Sequence, residues 1–362
     1  MNEIKSHHIV TAVCIAAILI MTPMSCAHKK GTTEAEPMQQ PSAQATEMAE
    51  AAAPERSLSV TAAGDCTFAR DESFARETSF DAYAEKYGTD YFFENVRDIF
   101  AEDDLTIINF EGTMSTQGAR EAKQFAFRGN PSYVNILTGS SVEAANLANN
   151  HSADYGTISL TDTKMYLDQA GILNCRGEEN VSVSEINGIK VGLVGINYLN
   201  DQMKTELEAA ISKAKSMGAE LVILSIHWGV EKAAAPNDEQ IEAAHRAIDC
   251  GADLVIGTHP HVLEGVEKYN GKYIWYSLGN FCFGGNSNPS DKDSAIFRIK
   301  FTFNGNELID DDNYEIIPCR ISESDGYNDY QPTPAQGDAK ARIEAKLTEY
   351  SQALGTSNLK FR

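Results

Sequence analysis

Two histidines one residue apart close the stretch Leu254-Val255-Ile256-Gly257-Thr258-His259-Pro260-His261-Val262. An aliphatic run that stops at a glycine predicts a buried strand, which would deliver both imidazoles at its carboxyl end, where α/β sheets build sites. Pro260 fixes its own φ and restricts the residue before it, so the loop holds its side chains with little backbone freedom, as a metal site requires. His-x-His also occurs by chance in surface loops. Its weight here comes from polar residues placed after other apolar runs: Asp65 behind Gly64, Asn109 and Glu111 straddling Phe110, Asn149-Asn150-His151, and His227 before Trp228-Gly229. Imidazole, carboxylate and amide oxygen together suit zinc, manganese or iron, and two such ions can clamp an in-line displacement.

The elements that must position these groups are legible as runs. Leu58 to Ala63 reads as a strand broken at Gly64-Asp65, although Gly-Asp is also a common turn dipeptide. Phe92, Phe93, Val96, Ile99 and Phe100 fall at helical spacing within residues 91 to 101 and predict a core-facing helix. Leu105 to Phe110 is a second buried strand, whose Asn109 and Glu111 point the same way and need a metal or substrate as partner. Asn149-Asn150-His151 follows a further apolar segment and reads either as site or as turn chemistry; a helix then runs to Gly171. Ile189 to Ile196 and Leu221 to Ile226 are strands, with an amphipathic helix closed by Gly218 between them. A helix from Glu239 to Cys250 carries His245, expected as a packed or solvated helix histidine. Ala295 to Phe303 and Tyr314 to Ile317 read as strands of a second sheet or an edge meander, and a last helix spans about Ala335 to Leu354. Strands alternating with helices, with polar residues after the strands, define an α/β fold.

The chain has 362 residues and a net charge of -22, enough length for a large core and the wrong sign for duplex nucleic acid as partner. The same charge weighs against a tightly held polyanion, unless a metal reverses the local field. At the amino terminus Lys5 precedes the apolar run Ile9 to Met21, and Ser25-Cys26 follows it. The pattern predicts an export signal over residues 1–25 resembling that of a lipoprotein, with Cys26 as the lipidated first residue of the mature chain. An ordinary secretory signal and an uncleaved anchor are the alternatives. Residues 26–56 hold the anchor site and a polar tether, 57–322 the folded domain, and 323–362 a polar segment with its helix. Cys66, Cys175, Cys250, Cys282 and Cys319 have no paired spacing and read mostly as small buried hydrophobes.

Gly64-Asp65, Asn109-Phe110-Glu111-Gly112, Asn149-Asn150-His151, His227-Trp228-Gly229, Gly257-Thr258-His259-Pro260-His261-Val262 and Tyr276-Ser277-Leu278-Gly279-Asn280-Phe281, in this order, resemble the CapA family of poly-γ-glutamate capsule biosynthesis proteins, related to calcineurin-like metallophosphoesterases. The resemblance spans about Leu58 to Arg320 and implies a four-layer α/β/β/α sandwich with a metal centre at the strand ends. It implies that Asp65 and His261 bind one metal and Asn150, His227 and His259 the other. Glu111 would take the place of the bridging carboxylate, and His151 would protonate a leaving oxygen or stabilise the transition state. Arg70, Asn109, Arg128 and Asn280 are expected on the substrate side; the two arginines could clamp a phosphate or carboxylate, or be ordinary salt-bridged arginines.

One motif departs from the metallophosphoesterase pattern. Where that pattern reads Asp-x-His, this chain has Asp65-Cys66-Thr67, and Cys66 points to the opposite face of its strand. One tight and one weaker divalent site are therefore expected. These readings predict an exported, lipid-anchored envelope protein that hydrolyses a phosphoester or related bond. The alternative is a non-catalytic component of capsular polymer synthesis or export. The expected partners are the membrane through its anchor, an envelope small molecule or polymer, and capsule synthase components.

Overall fold

A computed structural model describes residues 55–309 and 312–362. Two sheets face each other. In the first, the strand Glu55–Thr67 runs parallel to Leu105–Phe110, which is followed outward by Ala144–Asn146 and Leu173–Cys175. On its other side lie the antiparallel strands Asp293–Asn304, Tyr314–Arg320 and Thr333–Pro334. The second sheet has a parallel centre of Ile189–Asn197, Leu221–His227, Leu254–Thr258 and Lys272–Trp275. Antiparallel edges, Ser182–Ile186 and Val266–Tyr269, close it.

Side-chain alternation with period two builds the layers. Leu221 and Ile223 join Leu254, Ile256, Leu105 and Ile107 in the core between the sheets. Val222, Leu224 and Ile226 face the other way, onto the helices Leu207–Ser216 and Asp238–Asp249. On the far face of the first sheet, Ile108, Phe110 and Ala145 meet Phe80, Ile136 and Leu167 from three helices. Helix, sheet, sheet, helix is the expected α/β/β/α sandwich, and both parallel regions direct their carboxyl ends to one rim.

Two local expectations differ from the structure. The helix expected over residues 91 to 101 is a 3₁₀ turn, Thr89–Tyr91, and a single helical turn, Arg97–Phe100. Phe92 and Phe93 are adjacent yet both fully buried, Phe92 stacked on Phe80 and Phe93 edge-on to Phe68. A regular helix would turn neighbouring rings about 100° apart, so burying both costs the helix its regularity. Of the two readings of the strands after Phe283, the structure has the edge meander, which extends the first sheet. Glu55 and Arg56, assigned to the tether, already belong to the first strand, paired with Asn304 and Phe303.

The carboxyl-terminal segment packs into the same body. Ile343 and Leu347 of the helix Gly337–Ala353 enter the core between the sheets. Ser351 accepts the Val266 N–H at 2.9 Å, and Arg342 and Lys346 both pair with the buried Asp293. Cys66, Cys175, Cys282 and Cys319 are buried free thiols; Cys250 is exposed. His245 bonds Glu267 and stacks on Tyr269. Among the described residues no helix is long and apolar enough to cross a membrane. The expected signal, most of the tether and Cys26 lie outside the described residues.

Candidate metal centre

Each ligand candidate is aimed by the alternation that builds the core. Leu105 and Ile107 face between the sheets, so Asn109, and then Glu111, continue on that face. Leu221 and Ile223 likewise carry the alternation to Ser225 and His227. The first strand needs a correction of its own. Val60 and Ala62 point between the sheets, and strict alternation would send Asp65 to the helix side with Ala63. The register with the neighbouring strand shifts between Ala63 and Asp65, making Gly64 an extra residue and setting Asp65 opposite Asn109. Gly64 is required there, because a Cβ would lie 2.0 Å from the Gly279 carbonyl, the same oxygen that accepts the Asp65 N–H at 2.9 Å.

Glu111 stands at the middle of the site. Its Oε1 is 3.8 Å from Nε2 of His151, 3.9 Å from that of His227 and 3.8 Å from that of His261. Asp65 Oδ2 lies 3.2 Å from His261 Nδ1 and accepts the His259 N–H at 3.3 Å. His227 Nε2 lies 2.8 Å from Asn150 Oδ1, and the rings of His227 and His259 are 4.7 Å apart. One ligand atom each from Asp65, Glu111 and His261 can be drawn within 4.8 Å of one another. His259 and His261 hold φ of +98° and +58°, left-handed conformations that side chains other than glycine avoid and that cluster at functional sites.

The charges of this group do not balance by themselves. Both oxygens of Glu111 and Nδ1 of His259 are buried with no hydrogen-bond partner among the described residues. Burial pushes the Glu111 carboxyl up, and Asp65 and Asp154 add to the shift. Burial pulls His227 far below the ordinary imidazole range and lowers His259 to about 4, in each case reinforced by neighbouring histidines. His261 differs: burial acts to lower it, and the Glu111 and Asp65 carboxylates outweigh burial and raise it. A buried carboxylate without a partner costs several kcal/mol. A divalent cation among unprotonated imidazoles and carboxylates would offset that cost, so the donor set fits a metal.

Of the sequence-derived candidates, Asp65, Glu111, Asn150, His151, His227, His259 and His261 converge here. Asn109 is present as a clamp: its Nδ2 donates to Asp65 Oδ1 at 2.7 Å, and its Oδ1 accepts from Asn146 and Asn149. Asn280 also acts on a ligand, with Oδ1 3.0 Å from His261 Nδ1 and Nδ2 donating to the His261 carbonyl. Arg70 is not brought to the cluster; its guanidinium binds Asp81 and the carbonyls of Asp71, Glu72 and Phe74. Arg128 lies over the Tyr155 ring at 3.9 Å. Thr67, at the position of the missing imidazole, is buried with Oγ1 unpartnered among the described residues.

Several supporting residues went unassigned in the sequence. Asn149 bonds the Phe110 carbonyl and accepts the His151 N–H, and Thr258 Oγ1 lies 3.0 Å from His227 Nδ1. Asp154 takes His151 Nδ1 at 2.7 Å and also receives the Phe127 N–H and Lys123 Nζ. Burial, the leading cause, holds His151 below its ordinary value, with Asp154 opposing. A carboxylate three residues after a candidate acid was a readable signal; Lys123 carried none.

A four-layer sandwich with carboxylates, amides and imidazoles gathered at the strand ends defines the metallophosphoesterase-like class. Within that class, the chain belongs to the family described as bacterial capsule synthesis protein PGA_cap, which matches residues 59–285. It is 31% identical to the PGA biosynthesis protein CapA of Bacillus subtilis (strain 168), over 74% of each chain. It is 30% identical to the capsule biosynthesis protein CapA of Bacillus anthracis, over 66% of this chain and 63% of that one. A hypothetical protein from Thermus thermophilus covers 72% of this chain and 98% of its own, with a TM-score of 0.45 and 14% identity.

Proposed function

We propose that this chain is an envelope protein of capsular polymer metabolism whose rim site hydrolyses a phosphoester or related acyl bond with a divalent metal. The observation that carries the reading is Glu111, buried, without a hydrogen-bond partner among the described residues and ringed by three imidazole nitrogens. Asp65, Glu111, Asn150, His227, His259 and His261 would hold manganese, zinc or iron, one site tight and the other weaker because Thr67 replaces an imidazole. The metal would polarise the scissile group and lower the pKa of the attacking water. The chain's own residues do the rest. Asn109 and Asn280 fix Asp65 and His261, and the strained His259-Pro260-His261 loop keeps both rings oriented. His151, held at Nδ1 by Asp154, presents Nε2 where a leaving oxygen would need a proton.

Names of the relatives, a PGA biosynthesis protein and a capsule biosynthesis protein, support the polymer setting and an association with synthase components. A relative from Mycobacterium tuberculosis (strain CDC 1551 / Oshkosh), named a probable polyglutamine synthesis accessory protein, favours a second reading in which the site serves assembly without catalysis. The two readings part on His151. Purified without added metal, the full chain should carry one tightly held transition metal and turn over a substrate in a screen of phosphoesters and γ-glutamyl amides. His151→Ala should keep that metal and lose roughly 10²- to 10⁴-fold in kcat, while His227→Ala should lose the metal with the activity. Full turnover by His151→Ala would remove its assigned role. No turnover with any divalent metal would favour assembly.

Export and lipidation at Cys26 belong to the same proposal, supported by the apolar run and Ser25-Cys26. Cys26→Ser should leave the membrane fraction or fail to mature. An unchanged detergent requirement in that variant would refute the anchor.

A further inference from the structure

Beside the metal centre runs a groove of about 460 Å³, bordered by Lys123, Asn150, Asp154, Arg176, Asn197 and Asn200. Arg176 borders both this groove and a second cavity lined by Glu179 and Glu206; it follows the strand Leu173–Cys175, where Cys175 pairs with Asn146 and its carbonyl accepts the Leu147 N–H. The next residue, Gly177, donates to the Gly195 carbonyl at 2.7 Å, and Arg176 N–H donates to Asn180. Arg176 is thus pinned where the rims of the two sheets meet. The other cation of the groove, Lys123, is already paired with Asp154. Arg176 has no such partner among the described residues. Its Nε is buried without an acceptor, and Glu179 and Glu206 act on it only as nearby charges. Burial lowers its pKa, as expected of a cation denied an ion pair.

A guanidinium held partly buried, its Nε without an acceptor among the described residues, in a chain of net charge -22 is suited to an anion. We propose that Arg176 anchors an oxyanion subsite, taking a carboxylate or phosphate group on the substrate of the adjacent centre. The assignment rests on reading that centre as the place where substrate is processed. It also answers the unfavourable overall charge, since the substrate's negative group would meet the guanidinium of this groove rather than the acidic surface.

The test is calorimetric titration of the full chain with glutarate and with inorganic phosphate, each before and after chelator treatment. The chelated protein is expected to bind at least one probe, and the tighter probe distinguishes a carboxylate from a phosphate source. R176Q should weaken that binding about tenfold or more, the usual worth of hydrogen bonds to a charged group. R176M, which keeps an unbranched stem, should show the same loss, and both variants should retain the metal content of the wild type. Binding by R176M or R176Q as tight as wild type would overturn the subsite, as would failure of both probes to bind the chelated wild type. Failure of the metal reading would show separately, as absence of metal in the untreated protein, and would leave the chelated titrations unaffected.

Discussion

Nε2 of His227 and Oδ1 of Asn150 lie 2.8 Å apart, although one residue ends a strand of the second sheet and the other sits in a loop leaving the first. The contact joins the two rims across the core, so the site exists only if both sheets pack in register. Anything that slides one sheet against the other should disassemble the ligands before it unfolds the chain.

The bulge at Gly64 is part of what sets that register. Gly64→Ala would drive a methyl to 2.0 Å from the Gly279 carbonyl oxygen, and the Leu278-Gly279 backbone it meets cannot swing aside as a side chain could. The expected cost is about 3 kcal/mol, at the upper end for overpacking, together with loss of metal as Asp65 is displaced. Urea denaturation with metal analysis of the folded fraction checks both; near-wild-type stability would show that the bulge is dispensable.

Asp154 acts on chemistry through His151. Asp154→Asn keeps the shape and can still accept the Phe127 N–H, but removes the charge beside His151 Nδ1. Because Asp154 raises the His151 pKa against burial, its loss should lower that pKa further. A kcat reduced about 10- to 100-fold is expected, with the limb of the pH–rate profile assigned to His151 moved to lower pH and metal content unchanged. An unshifted profile would make Asp154 purely structural.

Glu264 gives a pH dependence separate from the ligands. Burial raises its carboxyl to about 8 against an ordinary 4.5, with the Gln240 amide opposing. The folded state therefore holds a proton that the unfolded chain releases, so the contribution to stability is full below about pH 4.5 and is lost as pH rises toward 8. Glu264→Gln should remove that slope, so that the chelated variant no longer loses the stability, on the order of 3 kcal/mol, that the chelated wild type loses between pH 5 and pH 8. Equal wild-type and variant slopes in urea melts at the two pH values would contradict it.

Leu347 tests whether the last helix belongs to the domain. It is fully buried in the core between the sheets, and Leu347→Ala should cost roughly 2–5 kcal/mol. A single cooperative transition shifted as a whole is expected by circular dichroism. Separate melting of a minor helical fraction would instead make the helix an independent appendage.

Periodicity and local chemistry determined much of this protein. Runs such as Leu221 to Ile226 and Leu254 to Ile256 are strands because their aliphatic side chains must be buried on both faces, and polar residues directly after them fall at the rim by construction. Asn109 and Glu111 share a face for the same reason, which needs no tertiary information. What only the tertiary structure decided is whatever depends on a partner distant in sequence. Strict alternation misplaces Asp65, and the bulge that corrects it exists because the Gly279 carbonyl approaches from more than 200 residues away. The regular helix expected around Phe92 and Phe93 gives way because an aromatic cluster from other segments takes both rings. Arg70 and Arg176 carry the same side chain. One is consumed by Asp81 and three carbonyls and the other is left without a partner among the described residues, a difference set by the acceptors that folding brings within reach and by nothing in the flanking residues.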